Sequence, residues 1–190
     1  MEHPVTAIYD ANILYPAPLR DMFIRLAQRG LVRARWTAAI HDEWMRSVLK
    51  DNPALSRSRL ARTRSLMDAA VRDCLVTGFE HAIESLSLPD PDDRHVLAAA
   101  IQAKAGVIIT FNLKDFPRRM LAGYHIAVKH PDDFLLSLLD TDPHPVCAVL
   151  KLQRNSLRNP PKTVEELLST LESQGLVQAV TRLRQFRKLL

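Results

Sequence analysis

The chain contains an uninterrupted apolar and β-branched run at Val107-Ile108-Ile109-Thr110-Phe111. Such a run is typical of a strand that is buried on both faces of a parallel sheet. A helix is predicted shortly before it, because Asp90 can cap a helix and Pro91 fits the first helical position. A helix that leads into a central strand favours a parallel, doubly wound sheet.

The alternation of strands and helices continues on the N-terminal side of this run. Residues 5–14 predict a first strand whose only charge is Asp10. Residues 19–27 predict a helix that Gly30 ends, and Thr37 is predicted to cap another. The remaining predicted elements are short strands at 31–36 and 126–128 and a long arginine-rich helix at 56–76.

Beyond residue 131 the pattern becomes entirely helical. Thr163 and Glu166 form a capping box, and residues 176–190 form a last amphipathic segment. We therefore expect an α/β domain over residues 1–140, with three layers in which helices cover a central parallel sheet. A helical C-terminal extension over residues 141–190 is expected to pack on or beside this domain.

Composition excludes several classes of protein. A length of 190 residues with 47 % hydrophobic content suits one compact unit. No stretch approaches the roughly 20 apolar residues of a membrane span, and a start containing Glu2 lacks the basic residues of a signal peptide, so a cytoplasmic location is expected. Cys74 and Cys147 have no metal-ligand or disulfide spacing. The net charge of +5 is compatible with an anionic partner, although charge alone does not identify one.

Four acidic residues are predicted to meet at one edge of the sheet. Asp10 closes the first strand, and Asp115 follows the run 107–111 after a short turn. Glu43 and Asp93 lie in the first or second turns of helices, which open near the same edge. Because ligands of parallel sheets bind outside the carboxyl ends of the strands, these four side chains are expected to share one site.

A cluster of four acids requires a compensating charge. Two carboxylates about 4 Å apart repel each other by roughly 4 kcal/mol at an effective dielectric of 20, which favours a bound cation. Oxygen ligands alone select Mg²⁺ or Mn²⁺. Asp92 or Asp93 could supply the inward acid, and the spacing to Leu97 and Ala100 favours Asp93.

Four segments of the chain resemble, in order, the motifs of PIN-domain ribonucleases, including the VapC-like toxins of type II toxin–antitoxin systems. The resemblance covers residues 5–128. The segments are Ile8-Tyr9-Asp10-Ala11-Asn12-Ile13-Leu14, His41-Asp42-Glu43-Trp44, Asp90-Pro91-Asp92-Asp93-Arg94-His95-Val96-Leu97-Ala98-Ala99-Ala100 and Ile109-Thr110-Phe111-Asn112-Leu113-Lys114-Asp115-Phe116.

The resemblance implies a PIN-like fold and a metal-dependent ribonuclease. Asp10, Glu43, Asp93 and Asp115 would be the metal-binding and catalytic residues, with Mg²⁺ or Mn²⁺ as the cofactor. Asn12, Thr110 and Asn112 match positions that orient ligands or water. Since some relatives carry an acid where this chain has Asn112, the fourth carboxylate must come from Asp115. The implied partners are an RNA substrate and a small antitoxin protein, and a homodimer is a further expectation.

The arginines and histidines near these motifs could be functional or merely structural. The candidate RNA contacts are Arg46, Arg57, Arg59, Arg62 and Arg64. A solvated helix face explains the same arginines equally well. A lone histidine on a helix is more often structural than catalytic, and this applies to His41 and His95.

Two other functions remain open. A PIN-like module that has lost catalysis would bind RNA or protein only, and the presence of all four acids argues against it. A Mg²⁺-dependent phosphatase of the haloacid dehalogenase type also begins with an aspartate at the end of a strand. That superfamily needs a second aspartate two positions later, where this chain has Asn12.

Overall fold

A computed structural model describes residues 4–190, so Glu2 lies outside the described part. Four strands form one sheet in the order β2-β1-β3-β4, and every neighbouring pair is parallel. The strands are β1 (Thr6–Tyr9), β2 (Arg33–Arg35), β3 (Val107–Ile109) and β4 (Ala127–Lys129). All three residues of β3 are buried, as expected for a central strand. The parallel sheet predicted from the sequence is confirmed.

Helices flank the sheet and place acidic residues near its carboxyl edge. They are α1 (Ala11–Leu14), α2 (Ala17–Gln28), α3 (Ala38–Asp51), α4 (Arg57–Ala70), α5 (Arg94–Gln102) and α6 (Arg118–Leu121). Thr37 caps α3 by accepting a hydrogen bond from the Ile40 amide at 3.1 Å. Asp90 caps the 3₁₀ turn Pro91–Asp93 that precedes α5, by accepting from the Asp92 amide at 2.9 Å. Both predicted caps are confirmed.

Two predicted boundaries are wrong. The first strand ends at Tyr9 and not at residue 14, because the Asp10 carboxylate accepts the Ala11 amide at 2.7 Å and starts α1. The arginine-rich helix ends at Ala70, several residues before the predicted end. The backbone beyond it pairs with Trp36, whose amide donates to the Cys74 carbonyl at 2.9 Å and whose carbonyl accepts from Val76 at 2.8 Å. These sheet-like bonds hold that segment extended.

The C-terminal part is helical, as predicted. Its helices are α7 (Pro131–Thr141), α8 (Pro143–Ser156), α9 (Val164–Ser173) and α10 (Val177–Arg184). The capping box of Thr163 and Glu166 is present at the start of α9. Helix α8 packs on α2, where the Gln153 side-chain amide donates to the Pro18 carbonyl at 2.8 Å. Both cysteines are buried and free, and no helix within residues 4–190 has the length and apolarity to cross a membrane.

Candidate active site

Asp10 lies directly after β1 and is almost fully buried, with 2 % of its surface exposed. Its Oδ1 atom accepts a hydrogen bond from the Ala11 amide at 2.7 Å. Its Oδ2 atom accepts from the Asn12 side-chain amide at 2.7 Å and from the Thr110 hydroxyl at 2.7 Å. Three donors therefore orient this carboxylate, and hydrogen bonds to the charged form oppose the cost of burying it.

Asn12 and Thr110 connect the ends of the two central strands. The Asn12 Nδ2 atom lies 2.8 Å from the Thr110 hydroxyl oxygen, and the Asn12 Oδ1 atom accepts from the Phe111 amide at 3.1 Å. The Thr110 hydroxyl oxygen also accepts from the Asn112 amide at 3.0 Å. Asn112 thus contributes its backbone to this network, while its residue surface is exposed. Asp10, Asn12, Thr110 and Phe111 form what we call the strand-end network.

Asp93 ends the 3₁₀ turn before α5 and is partly buried, whereas Asp92 is exposed. The buried Oδ2 atom of Asp93 has no hydrogen-bond partner among the residues that the structure describes. Burial, followed by the charges of Asp10, Asp90, Asp115 and Glu43, raises the pKa of Asp93 to about 7. Asp93 therefore lies near enough to the other acids for their charges to act on it.

The same repulsion acts on Asp10. Burial is the largest cause that raises its pKa, and the Glu43 charge raises it further. The hydrogen bonds from Thr110 and Ala11 and the nearby His95 act in the opposite direction. The structure thus brings all four predicted acids into one electrostatically coupled region.

Glu43 and Asp115 are partly exposed, as Asp93 is, whereas Asp10 is buried. The Glu43 side chain is 44 % exposed, and its Oε2 atom lies 3.6 Å from Nε2 of His95. Asp115 ends the 3₁₀ turn Leu113–Asp115 and is partly exposed. The contact of His95 with Glu43 was not predicted, because the spacing within one chain does not reveal which residues of α3 and α5 meet.

The donor atoms of the site suit a metal ion better than the distances between its side chains do. Within residues 4–190, no group of three or more histidine, cysteine, aspartate or glutamate side chains is close enough to hold a metal ion. The donors are nevertheless oxygen atoms only, which suits Mg²⁺ or Mn²⁺. The partnerless oxygen and the high pKa of Asp93 are the features that a cation would relieve. The donor chemistry therefore suits such an ion, while the side chains as placed are not gathered around one position.

His41 belongs to a buried network beside the site. Its Nδ1 atom accepts from the Trp44 indole at 2.9 Å, so the proton is on Nε2, which lies 2.9 Å from the Asp68 Oδ1 atom. The Trp36 indole donates to the same Asp68 atom at 2.8 Å. Burial lowers the pKa of His41 despite the neighbouring Asp68. This network holds α3, which carries Glu43, against α4.

The arginines that were predicted to contact RNA lie on α3 and α4. Arg46, Arg57, Arg59 and Arg62 are exposed. Arg64 is less exposed, and its guanidinium donates to the Asp42 carboxylate at 3.0 Å. Arg64 is therefore engaged by a neighbouring acid, while the other four side chains are accessible to solvent.

Comparisons with known proteins agree with this fold. The PIN domain family model matches residues 6–114, and the VapC50 C-terminal domain model matches residues 131–185. Over 82 residues the chain is 46 % identical to a protein of Mycobacterium tuberculosis (strain ATCC 25618 / H37Rv) named "Putative ribonuclease VapC50". That alignment covers 43 % of this chain and 48 % of the other protein, so the chain spans about half the length of the curated relative it matches.

No solved structure matches the chain. The first family match nevertheless extends over more than half of the sequence, from β1 to the 3₁₀ turn that contains Asp115. It includes three of the four acids, Asp10, Glu43 and Asp93, and ends one residue before Asp115. The chain belongs to the PIN domain family.

Proposed function

We propose that this protein is a ribonuclease that hydrolyses RNA phosphodiester bonds, and that it acts in the cytoplasm as the VapC-like toxin of a toxin–antitoxin pair. The observation that carries the proposal is the coupling of four carboxylates at the carboxyl edge of the sheet, with the pKa of Asp93 raised to about 7. Membership of the PIN domain family and the name of the relative support the same activity.

The proposed ligands of Mg²⁺ or Mn²⁺ are Asp10, Glu43, Asp93 and Asp115. When bound, such an ion lowers the pKa of a water and offsets negative charge in the transition state of phosphodiester hydrolysis. Asp10 accepts three hydrogen bonds. Since a carboxylate has about four acceptor positions, roughly one remains for a ligand.

Glu43 is the proposed proton acceptor for the attacking water. Its side chain is 44 % exposed and can reach solvent. The 3.6 Å approach of His95 places a second titratable group at the Glu43 carboxylate. Asn12 and Thr110 have a supporting role, because their hydrogen bonds fix the orientation of Asp10. Asn112 supports Thr110 through its backbone amide.

RNA is proposed to lie across the exposed arginines of α3 and α4. Arg46, Arg57, Arg59 and Arg62 would contact phosphates, which positions a strand without reading its bases. Arg64 would contribute after exchange of its bond to Asp42. A small antitoxin protein is proposed to cover the site. A homodimer is a further proposal, as is the division into a nuclease domain at 1–140 and an extension at 141–190.

Cleavage of labelled RNA by the purified chain tests this function. With Mn²⁺ or Mg²⁺ we expect products with 5′-phosphate and 3′-hydroxyl ends, and EDTA should stop their formation. RNA that is bound but never cut would instead support the non-catalytic PIN-like module. Hydrolysis of p-nitrophenyl phosphate without RNA cleavage would support the phosphatase.

A further inference from the structure

We propose that the C-terminal helices set the position of the strand-end network through a contact between Gly175 and the ring of Phe111. Gly175 is thus a positioning residue for the candidate active site, although it lies in the turn between α9 and α10. For catalysis the inference rests on the proposed function. The positions of Phe111 and Asn12 can be tested independently of that function.

The Phe111 ring packs between two parts of the C-terminal helices. Its centroid lies 4.9 Å from that of the His130 ring, with the planes at 81°. A Cβ atom added to Gly175 would lie 3.1 Å from Cε1 and 3.9 Å from Cζ of the Phe111 ring. The former distance is shorter than ordinary van der Waals contact, so a side chain at position 175 requires the ring to shift by a few tenths of an ångström.

Hydrogen bonds through Asp132 link the segments that contain His130 and Gly175. The His130 side chain caps α7 by accepting the Asp132 amide at 3.2 Å. The buried Asp132 carboxylate in turn caps α10, accepting the amides of Gln178 at 2.9 Å and Ala179 at 2.8 Å. Gly175 lies just before α10, and its φ of +92° is a conformation that glycine adopts most readily. The helices therefore hold the two positions that the ring contacts.

The backbone of Phe111 connects this pocket to the acids. The Phe111 amide donates to Asn12 Oδ1 at 3.1 Å, and the Asn12 side-chain amide donates to Asp10 Oδ2 at 2.7 Å. A displacement of the ring therefore acts on the hydrogen bonds that orient Asp10. Small displacements matter for catalysis, because reacting groups must be held within fractions of an ångström.

Gly30 provides a matched control for substitutions at Gly175. Both glycines follow a helix and have positive φ, +71° at Gly30 and +92° at Gly175. A Cβ atom at Gly30 would meet no described atom within 4 Å. A side chain is strained by the positive φ at both positions, and only at Gly175 does it also meet the Phe111 ring.

The experiment compares Gly175→Leu with Gly30→Leu by NMR hydrogen exchange and by RNA cleavage. We expect the exchange rate of the Phe111 amide to increase about tenfold in Gly175→Leu and to stay unchanged in Gly30→Leu. We also expect kcat to fall about tenfold only in Gly175→Leu, with KM within about twofold of wild type. If Gly175→Leu does not fold, the alanine pair is compared in the same way, with an expected difference of about threefold.

Equal exchange at Phe111 in the two variants would overturn the inference, whatever the activity. A wild-type protein that cuts no RNA would contradict the proposed function, and the exchange comparison would still decide the inference. If exchange differed and kcat did not, the contact would hold the loop without serving catalysis, and the positioning role would be refuted.

Discussion

The substitution Asp93→Asn removes a carboxylate whose buried Oδ2 atom has no hydrogen-bond partner within the described residues. Burial and four neighbouring acids raise the pKa of Asp93 from 3.8 to about 7. Because the folded pKa is above the unfolded one, the stability contributed by this group is complete below pH 3.8 and is lost as the pH rises through about 7. At neutral and alkaline pH, the ionised Asp93 therefore destabilises the metal-free protein.

The size of the effect follows from the same pKa values. A rise of the pKa from 3.8 to about 7 means that ionised Asp93 destabilises the folded protein by at most ~4 kcal/mol. Asp93 is only partly buried, so screening by solvent reduces this to about 1–2 kcal/mol. We expect Asp93→Asn to be more stable than wild type by about that amount at pH 8, and to lose more than half of that advantage at about pH 4, close to the unfolded pKa of 3.8.

Urea unfolding of both proteins in EDTA at about pH 4 and pH 8 measures this difference. Asp92→Asn is the matched control, because Asp92 is the exposed neighbour, and its stability should stay within about 0.5 kcal/mol of wild type. The reasoning would be refuted if Asp93→Asn were less stable than wild type at pH 8, or if the difference were the same at both pH values.

Three further predictions concern the metal, the RNA and the cell. In thermal unfolding, adding Mn²⁺ should raise the Tm of the wild-type protein by several degrees, and Asp10→Asn should reduce this rise. An unchanged rise in the Asp10→Asn protein would show that Asp10 is not a metal ligand. Replacing Arg57, Arg59 and Arg62 with glutamine should weaken RNA binding across sequences and reduce its salt dependence, which titrations at several salt concentrations would measure. Unaltered binding would show that these arginines form only a solvated helix face. Expression of the wild-type chain alone should arrest growth, whereas Asp10→Ala and Asp93→Ala should not at matched soluble expression; equal growth of all three would count against the toxin.

The architecture of the sheet could be predicted because its signals are local. The apolar run that contains β3 specifies a buried parallel strand, and Asp90 and Thr37 mark the starts of helical segments. The end of β1 was predicted wrongly because Ile13 and Leu14 continue the apolar run. They suit a strand and a short buried helix equally well, and the Asp10 cap decides in favour of the helix.

The charges that surround the proposed acids were harder to predict than the candidate acids themselves. The motif order places Asp10, Glu43, Asp93 and Asp115 in one region, and the structure couples them electrostatically. The contributions of Asp90 and His95 depend on which turns meet in space, and no spacing reveals this.

Contacts between distant segments were missed for the same reason. In the sequence Asp68 is an ordinary helix residue, and only the structure shows its contacts with Trp36 and His41. In the sequence Gly175 is a simple helix stop, and only the structure shows that the Phe111 ring lies against it. Both contacts join elements that are far apart in the sequence, so only the assembled fold reveals them.

The dependence of RNA cleavage on free Mn²⁺ tests the carboxylate site most directly. The initial rate of cleavage would be measured for the wild-type protein, Asp93→Asn and Asp92→Asn across a titration of Mn²⁺. We predict that the wild-type rate rises to saturation and vanishes in EDTA, that Asp93→Asn is slower by about 100-fold or more, and that Asp92→Asn stays within about twofold of wild type. Cleavage that persists in EDTA, or an Asp93→Asn protein as fast as wild type, would contradict the proposed site.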